Sequence, residues 1–412
     1  MQLYTFGFNV QTQTNESQKE RLISAPEAGV EAIKVLWSSW CDAIVARQDA
    51  AGSWTIDYLG AGLTTTQKDH IAQSEELRNA VSRGGTVSFF GSTMHAGLQG
   101  YTISNSTDPE VANKLVVFAT DLDISNNVPE VQPHNLSTEG ILDAKIISGG
   151  DILLSMINRV TGGAKVLHFR DFTELWSRLR SNLCLYSKQG ALASFVPAQW
   201  VTNATTSTVL DQHGKVYTST RDSRYSKSLG RPYEGSSAFE LVPYLSETCV
   251  TKIASGGFMS AAVSSDGELF LWGEACPGTD GKLSVFNIDT VDEEGLPNFD
   301  SMDKVAKVTG IWAEGEQDEF VKCLTIRIDG EEARAYDVAI GCGHILVAVE
   351  SLDSSGKKKR ALFAAGENNL EQLGPNGRNQ FFEDFEEVIA FRDKQIAQLV
   401  AAGWSTFVVT PN

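Results

Sequence analysis

The amino-acid sequence predicts an all-β protein, a seven-bladed β-propeller closed by pairing of strands from the two ends of the chain. Three observations lead to this prediction. One β-hairpin unit recurs along the 412 residues, its copies carry glycine at matching places, and each end of the chain holds only half of a copy. Repeated multi-stranded units arranged in a ring are the architecture of propellers.

The best-preserved copy is IASGGFMSAAVSSDGELFLWGE, residues 253–274. Gly256-Gly257 precedes an apolar run, an Asp-Gly dipeptide follows it, and a second run ends at Trp272-Gly273. Asp-Gly between two apolar runs predicts a tight hairpin turn in which both central residues have positive φ. The second run is rich in aromatic and branched residues, which is typical of a strand.

Five further copies align on the same glycines and hairpin. They lie at residues 35–62, 87–122, 146–169, 200–230 and 338–374. The copy at 146–169 begins with Gly149-Gly150, and the copy at 338–374 reaches its own Ala-Gly at Gly366 after a long hairpin tip.

The two ends of the chain hold complementary halves of one more copy. Residues 396–412 contain Gly403 and stop before the hairpin turn, and residues 1–13 supply the missing second half. Pairing the halves completes a seventh blade and removes the open sheet edges. We therefore expect one propeller domain over residues 1–412, with insertions at about 64–84, where apolar residues have helical spacing, and at about 285–321, which is acidic.

Composition argues against several classes of function. The formal net charge is −18, so we expect no direct contact with nucleic-acid phosphates. No apolar run approaches the roughly 20 residues that span a membrane, and the first residues do not resemble a signal peptide. The six cysteines are scattered without a C-x-x-C motif, which predicts thiols in a reducing compartment. We expect a cytoplasmic protein, and a nuclear location stays open.

No motif predicts catalysis, a cofactor or a metal site. Each glycine pair leads into a strand, whereas a phosphate-binding loop leads into a helix. The six histidines lie far apart and form no metal-ligand spacing. There is no recognisable nucleophile motif, although a carboxylate pair brought together from two blades, as in a sugar hydrolase, stays open. The sequence therefore predicts a protein that is not an enzyme.

The order of glycine pair, apolar strand, Asp-Gly turn and a strand ending in W-G-x-N-x-x-x-Q-L-G resembles the repeat of the regulator of chromosome condensation family. The matching residues are 254–273, 341–374 and the split copy 402–412 with 3–13. The histidine that follows the glycine pair in that family is present here as His344. The resemblance implies a structural hydrogen bond between strands for this residue.

The resemblance also implies function. The founding member of the family is a chromatin-bound exchange factor for the small GTPase Ran, and many relatives are adaptors. The C-terminal layout, from DSSGKKKR to GWSTFVV, is similar to the fungal alpha-tubulin suppressor (killer-toxin-insensitivity) branch. Members of that branch pair with a small zinc- or iron-binding protein and serve diphthamide synthesis and Elongator-dependent tRNA wobble-uridine modification.

Two alternatives stay open. The start of the chain, FGFN with WSSWCDAIV, is similar to a branch that partners a JmjC-type hydroxylase on chromatin. Guanine-nucleotide exchange on a small GTPase is the other, and it would need a protruding wedge, for which residues 285–321 are the candidate. The adaptor interpretation implies a monomer or a heterodimer with one protein partner.

Four aromatic residues are the candidate partner site. Trp37, Trp40, Phe258 and Trp404 fall near the starts of inner strands, close to one rim of the ring. They either pack between blades or form a binding surface, since Trp and Tyr are favoured at binding hot spots. The basic run KKKR (357–360) is predicted at a hairpin tip, as a solvated turn or as a nuclear import signal.

Overall fold

The computed structural model is a ring of seven antiparallel sheets, which confirms the predicted seven-bladed propeller. The structure describes residues 1–8, 29–83, 85–92, 97–104, 113–119, 125, 129–136, 139–147, 150–158, 164–172, 174–175, 177, 195, 197–220, 222–277, 281–286, 308–315, 317–353, 355–374 and 379–411.

The blades follow one another in chain order. Blade one consists of β2 (Val30–Ser38), β3 (Asp42–Asp49) and β4 (Trp54–Gly60). Blade two consists of β5 (Thr86–Ser92), β6 (Gly97–Ser104), β7 (Asn113–Phe118) and β8 (Val131–Leu136), and blade three of β9 (Glu139–Ile146), β10 (Ile152–Asn158) and β11 (Ala164–Phe169). Blade four consists of β12 (Pro197–Thr202), β13 (Thr206–Asp211), β14 (Val216–Thr220) and β15 (Glu240–Leu241).

The second half of the ring includes a larger sheet and the shared blade. Blade five consists of β16 (Val250–Gly256), β17 (Met259–Ser264), β18 (Leu269–Gly273), β19 (Gly310–Ala313), β20 (Val321–Ile328) and β21 (Glu331–Glu332). Blade six consists of β22 (Arg334–Ile340), β23 (His344–Leu352), β24 (Lys358–Glu367) and β25 (Phe381–Glu387). Blade seven consists of β26 (Gln398–Ala402), β27 (Ser405–Thr410) and β1 (Gln2–Gly7).

Strands from the two ends of the chain close the ring, as the split copy predicts. β1 pairs antiparallel with β27 from Gln2 opposite Thr410 to Gly7 opposite Ser405. On its other side β27 pairs with β26, the inner strand of the blade. Residues at opposite ends of the sequence therefore share one sheet.

The apolar core is divided among the junctions between blades. Seven clusters of buried apolar side chains occur among the described residues, one at each junction. At the junction of blades four and five, for example, Leu210 and Val216 pack with Ile253 and Phe270. Because each blade is covered on both faces, its middle strand is buried, and every residue of β17, including two serines, is buried.

Polar side chains also connect the inner strands of neighbouring blades. Gln199 of blade four accepts a hydrogen bond from the Ile253 backbone N–H (2.9 Å) and donates one to the Thr251 carbonyl (3.3 Å). Asp337 of blade six accepts one from the Leu399 N–H at 2.9 Å. Gln199 and Asp337 each follow a β-bulge, which turns the side chain toward the next blade.

The hairpins between second and third strands differ from the predicted turn. Gly267 has φ +84°, but Asp266 does not have positive φ, so this is not the two-residue turn expected from Asp-Gly. Gly267 N–H donates to the Ser264 carbonyl at 3.1 Å, and Ser264 N–H donates to the Glu268 carbonyl at 3.0 Å. The turn is a type I turn followed by a glycine in the left-handed region.

The same four-residue turn recurs in other hairpins, and its sequence motif is longer than the Asp-Gly dipeptide. Asp49, Asp211 and Asp353 occupy the position of Ser264, three residues before Gly52, Gly214 and Gly356. The carboxylate of each aspartate accepts hydrogen bonds from two backbone N–H groups of its own turn. The repeated signal is therefore Asp/Ser-x-x-Gly.

The two predicted insertions have different structures. Residues 64–84 contain α1 (Thr65–Gln73) and α2 (Glu75–Ser82), whose buried Ile71, Leu77 and Val81 join the core between blades one and two. Within 285–321, β19 pairs with β20 as a strand of blade five, so the expected insertion was too long. Residues 287–307 lie outside the described residues.

Candidate protein-binding rim

The turns that join first to second strands lie on one rim of the ring. We call this the tryptophan rim and define it by the turns at residues 39–41, 203–205, 257–258, 341–343 and 403–404. In an up-and-down blade these turns all face one side, and the hairpins between second and third strands face the other. Three of the four predicted aromatic residues, Trp40, Phe258 and Trp404, lie in these turns.

Trp40 and Trp404 come together across the junction between blade one and blade seven. Their rings meet edge to face, with centroids 6.4 Å apart and an interplanar angle of 81°. Trp404 is 37% exposed. Gly403 allows the close approach, since a Cβ at this position, where φ is +53°, would stand 2.4 Å from the Trp40 Cα. The pair is thus a partly exposed aromatic surface on a rigid turn.

A buried carboxylate holds the turn that carries Trp40. Asp42 accepts hydrogen bonds from the Ser39 hydroxyl, from the Tyr58 hydroxyl at 3.0 Å and from the Leu98 backbone N–H of blade two at 3.1 Å. Burial raises the pKa of Asp42, and the three donors act in the opposite direction. Because internal donors engage this carboxylate, it orients the rim and connects blade one to blade two. Sequence reasoning missed it, because a single Asp at a strand start carries no distinctive signal.

The other two predicted aromatics have different surroundings. Phe258 stacks obliquely against Tyr225, with ring centroids 4.8 Å apart. The Arg224 guanidinium lies 5.4 Å from the centre of the Tyr225 ring, so a second aromatic group with a cation occupies the rim. Trp37 lies inside β2 and packs on the core between blades one and two. The structure therefore joins Trp40 with Trp404, places Phe258 separately, and assigns Trp37 to packing.

A cleft lined by both polar and apolar residues opens on the same rim between blades three and four. Its volume is about 350 Å³, and Thr205, Ser219 and Thr220 supply hydroxyl groups to its wall. His168, whose Nε2 is 2.6 Å from an Asp151 carboxylate oxygen, also lines it. The cleft can offer hydrogen bonds to polar groups of a partner.

His344 connects blade six to blade seven. Its Nε2 lies 3.0 Å from the Thr406 hydroxyl, and the ring is completely buried. Burial lowers the pKa of His344 to about 4, so the ring is neutral in the native protein near pH 7. The geometry is that of a hydrogen bond between strands.

The repeat glycines mark places of close backbone approach. A Cβ on Gly273 would stand 2.2 Å from the Phe258 carbonyl oxygen, and a Cβ on Gly366 would stand 2.2 Å from the Gly343 carbonyl oxygen. Gly256 is the last residue of β16, and Gly257 is the first residue of the turn to β17. Gly150 lies between β9 and β10, and Gly149 lies outside the described residues.

The basic run lies mostly within a strand rather than at the hairpin tip. Lys357 is in the turn, but Lys358, Lys359 and Arg360 belong to β24. Lys358 pairs with Glu350 at 2.9 Å and Lys359 with Asp329 at 2.8 Å. These cations are held in ion pairs, one of them to a residue of blade five.

The described part of the chain offers neither a metal-binding cluster nor a helix that could span a membrane. No group of three or more His, Cys, Asp or Glu side chains there has the arrangement to hold a metal ion. None of the helices found there has the length and apolar character to cross a membrane.

The fold and the rim define a seven-bladed β-propeller with an aromatic turn surface. Comparison with solved structures finds this fold in Prp20p from Saccharomyces cerevisiae, with a TM-score of 0.55 and 12% identity over 99% of this chain and 91% of that one. Yeast RCC1 (Prp20) in complex with Kap60 matches with a TM-score of 0.53 and 12% identity over 100% and 89%. No family model matches the chain, and no curated protein matches it.

Proposed function

We propose that this propeller is a non-enzymatic scaffold that binds a protein partner through the tryptophan rim. The observation that carries the proposal is the pair Trp40 and Trp404, an edge-to-face aromatic pair with Trp404 37% exposed. Exposed tryptophan on a rigid turn is the type of residue that dominates binding energy at protein interfaces. Loops on a rigid scaffold commonly carry recognition.

The partner proposed is a small zinc- or iron-binding protein, and the processes are diphthamide synthesis and Elongator-dependent tRNA modification. This finer proposal is supported by the similarity of the C-terminal residues 353–409 to the fungal alpha-tubulin suppressor branch. The metal in this proposal belongs to the partner. With this function we also propose that the protein is located in the cytoplasm and also enters the nucleus.

A second candidate function is guanine-nucleotide exchange on a small GTPase. It is favoured by the shared fold with Prp20p, a protein described by its binding properties to Gsp1p and histones. The wedge proposed for exchange, residues 285–321, is shortened because β19 is built into blade five.

The test is to identify co-purifying proteins by mass spectrometry, with an affinity tag inserted in the turn at 353–357. This turn lies on the rim opposite Trp40 and Trp404, and both termini stay free to pair. A small metal-binding protein with diphthamide or Elongator components would support the adaptor proposal. A small GTPase enriched only in its nucleotide-free form would overturn it in favour of exchange. A JmjC-type hydroxylase would favour the chromatin alternative.

The rim is tested separately from the identity of the partner. Trp404→Ala should remove most of the captured partner, and Trp40→Ala should weaken capture as well. Leu352→Ala is the matched control, because Leu352 is 61% exposed and lies next to the 353–357 turn on the opposite rim. Equal capture by wild type and Trp404→Ala would show that the partner binds elsewhere.

A further inference from the structure

Two cysteines meet at the junction between blade five and blade six. Cys276 follows β18, and Cys342 lies in the turn between β22 and β23 on the tryptophan rim. The Cys276 thiol donates a hydrogen bond to the Cys342 sulfur. A Cβ on Gly257 would stand 2.6 Å from the Cys276 Sγ and 3.6 Å from the Cys342 Cα, so the Cys276 sulfur lies beside the backbone of its neighbour.

These cysteines depart from the repeat. In the copy at 253–274 the position of Cys342 is occupied by Gly257, and in the last copy it is occupied by Gly403. Both Cys276 and Cys342 are half-buried, whereas Cys41 is buried. Neither cysteine of the pair is fully buried.

The hydrogen bond makes the two thiols unequal. The donor Cys276 holds the pKa of the Cys342 thiol below its ordinary value, although burial and Glu367 act in the opposite direction. The pKa of Cys276 is raised, first by the same hydrogen bond and then by burial. Cys342 is thus the sulfur that becomes a thiolate more readily, and the thiolate is the reactive form.

We propose that Cys276 and Cys342 form a reversible disulfide when the protein meets a hydroperoxide. The Cys342 thiolate attacks one peroxide oxygen, the O–O bond breaks, and a sulfenic acid forms as the other oxygen leaves and takes up a proton. The Cys276 sulfur then attacks the sulfenic sulfur, the S–S bond forms, and hydroxide leaves as water with the Cys276 proton. With hydrogen peroxide as the oxidant, the overall reaction converts two thiols and one peroxide into one disulfide and two water molecules. The two sulfurs together lose two electrons, and the peroxide gains them.

The product connects two blades that are otherwise joined by non-covalent packing. It also reaches the turn that carries Phe258, because the Cys276 sulfur lies beside Gly257. In a reducing compartment such a bond is transient and sensing rather than permanent. Thiol–disulfide exchange with a cellular dithiol returns the pair to the reduced form.

The experiment treats the full-length protein with hydrogen peroxide and maps its peptides under non-reducing conditions. We expect one cross-linked peptide that contains Cys276 and Cys342, with the loss of two hydrogen atoms and full reversal by dithiothreitol. The thermal midpoint should rise on the order of 5 °C, because the cross-link constrains the unfolded chain. Cys342→Ser and Cys276→Ser should each abolish the cross-link and the rise, while Cys249→Ser, at an exposed cysteine, should keep both.

Three results would overturn the proposal. One is the absence of the cross-linked peptide after oxidation of the wild-type protein. Another is oxidation that stops at sulfinic acid on Cys342. The third is a cross-link found just as often between other cysteines. Circular dichroism and the thermal midpoint of the reduced serine variants show that each is folded, so the loss of the cross-link reports on the thiol that was removed.

Discussion

The side chain of Gln398 hydrogen-bonds both backbone groups of Val35, across the junction where the end of the chain meets its beginning. Its carbonyl oxygen accepts from the Val35 N–H at 2.9 Å, and its amide donates to the Val35 carbonyl at 2.7 Å. Gln398 lies on β26 and Val35 on β2, 363 residues apart. One side chain of blade seven therefore bonds both backbone polar groups of a residue in blade one.

Replacing this glutamine should weaken the closure of the ring. Gln398→Leu leaves the Val35 N–H and carbonyl without partners, and each unsatisfied buried group costs about 1–3 kcal/mol. We expect the free energy of unfolding to fall by about 3 kcal/mol, measured by denaturant titration. Gln48→Leu is the control: the Gln48 amide bonds the Gly52 carbonyl in an exposed hairpin, and the loss of that bond should change the free energy of unfolding by less than about 0.5 kcal/mol. Equal losses in the two variants would contradict this role.

Stability should fall between pH 6.5 and pH 4 because of His344. Its pKa is about 4 in the native protein and about 6.5 in the unfolded chain. In this window the unfolded state binds the proton and the native state does not, so His344 contributes stability above pH 6.5 that is lost as the pH falls to 4. The loss amounts to about 3 kcal/mol.

The pH dependence is measured by comparing variants in denaturant titrations at pH 7 and pH 4. The His344→Gln variant lacks the titrating imidazole, so its unfolding free energy lacks the contribution of His344 to the pH dependence. The difference in unfolding free energy between wild type and variant at pH 7 should therefore differ by about 3 kcal/mol from the same difference at pH 4. His213→Gln alters an exposed hairpin and should keep the wild-type profile. Parallel profiles for wild type and His344→Gln would show that His344 does not titrate as described.

A methyl group at Gly403 should disturb the tryptophan pair. Gly403→Ala places a Cβ 2.4 Å from the Trp40 Cα at a residue with positive φ, so backbone must move. Gly356→Ala shares the positive φ but has no atom within 4 Å of the added Cβ, and should cost only about 1 kcal/mol. We expect Gly403→Ala to cost at least about 2 kcal/mol more and to reduce partner capture, which thermal unfolding and co-purification measure.

Removing residues 1–8 should expose the edge of β27. The six residue pairs between β1 and β27 are lost, and unpaired strand edges promote association. Light scattering should show self-association of the truncated protein. A peptide with the sequence of residues 1–8, added in trans, should restore a monodisperse species, and a scrambled peptide should not. Monodisperse behaviour of the truncated protein alone would contradict the closure.

Repetition made the fold predictable, because every blade needs the same turn and the same glycines. The Asp-Gly dipeptide at 266–267 located a hairpin correctly, although the turn begins two residues earlier, at Ser264. β19 was missed, because four residues next to an acidic stretch give little strand signal. Errors therefore fell on turn geometry and boundaries rather than on the number of blades.

The linear order of residues was sufficient for properties that local chemistry controls: the repeated hairpins, the places of their glycines, the split blade and the acidic charge. Contacts between neighbouring blades could not be predicted from the linear sequence, because they join side chains that lie far apart in the sequence and have no shared period. Trp40 meets Trp404, Gln398 meets Val35, and Cys276 meets Cys342 only because the ring brings successive turns to one rim and closes its first blade on its last. Trp37 shows the reverse: its position along the chain groups it with the other rim aromatics, but in the structure it is partly buried and packs against the core between blades one and two.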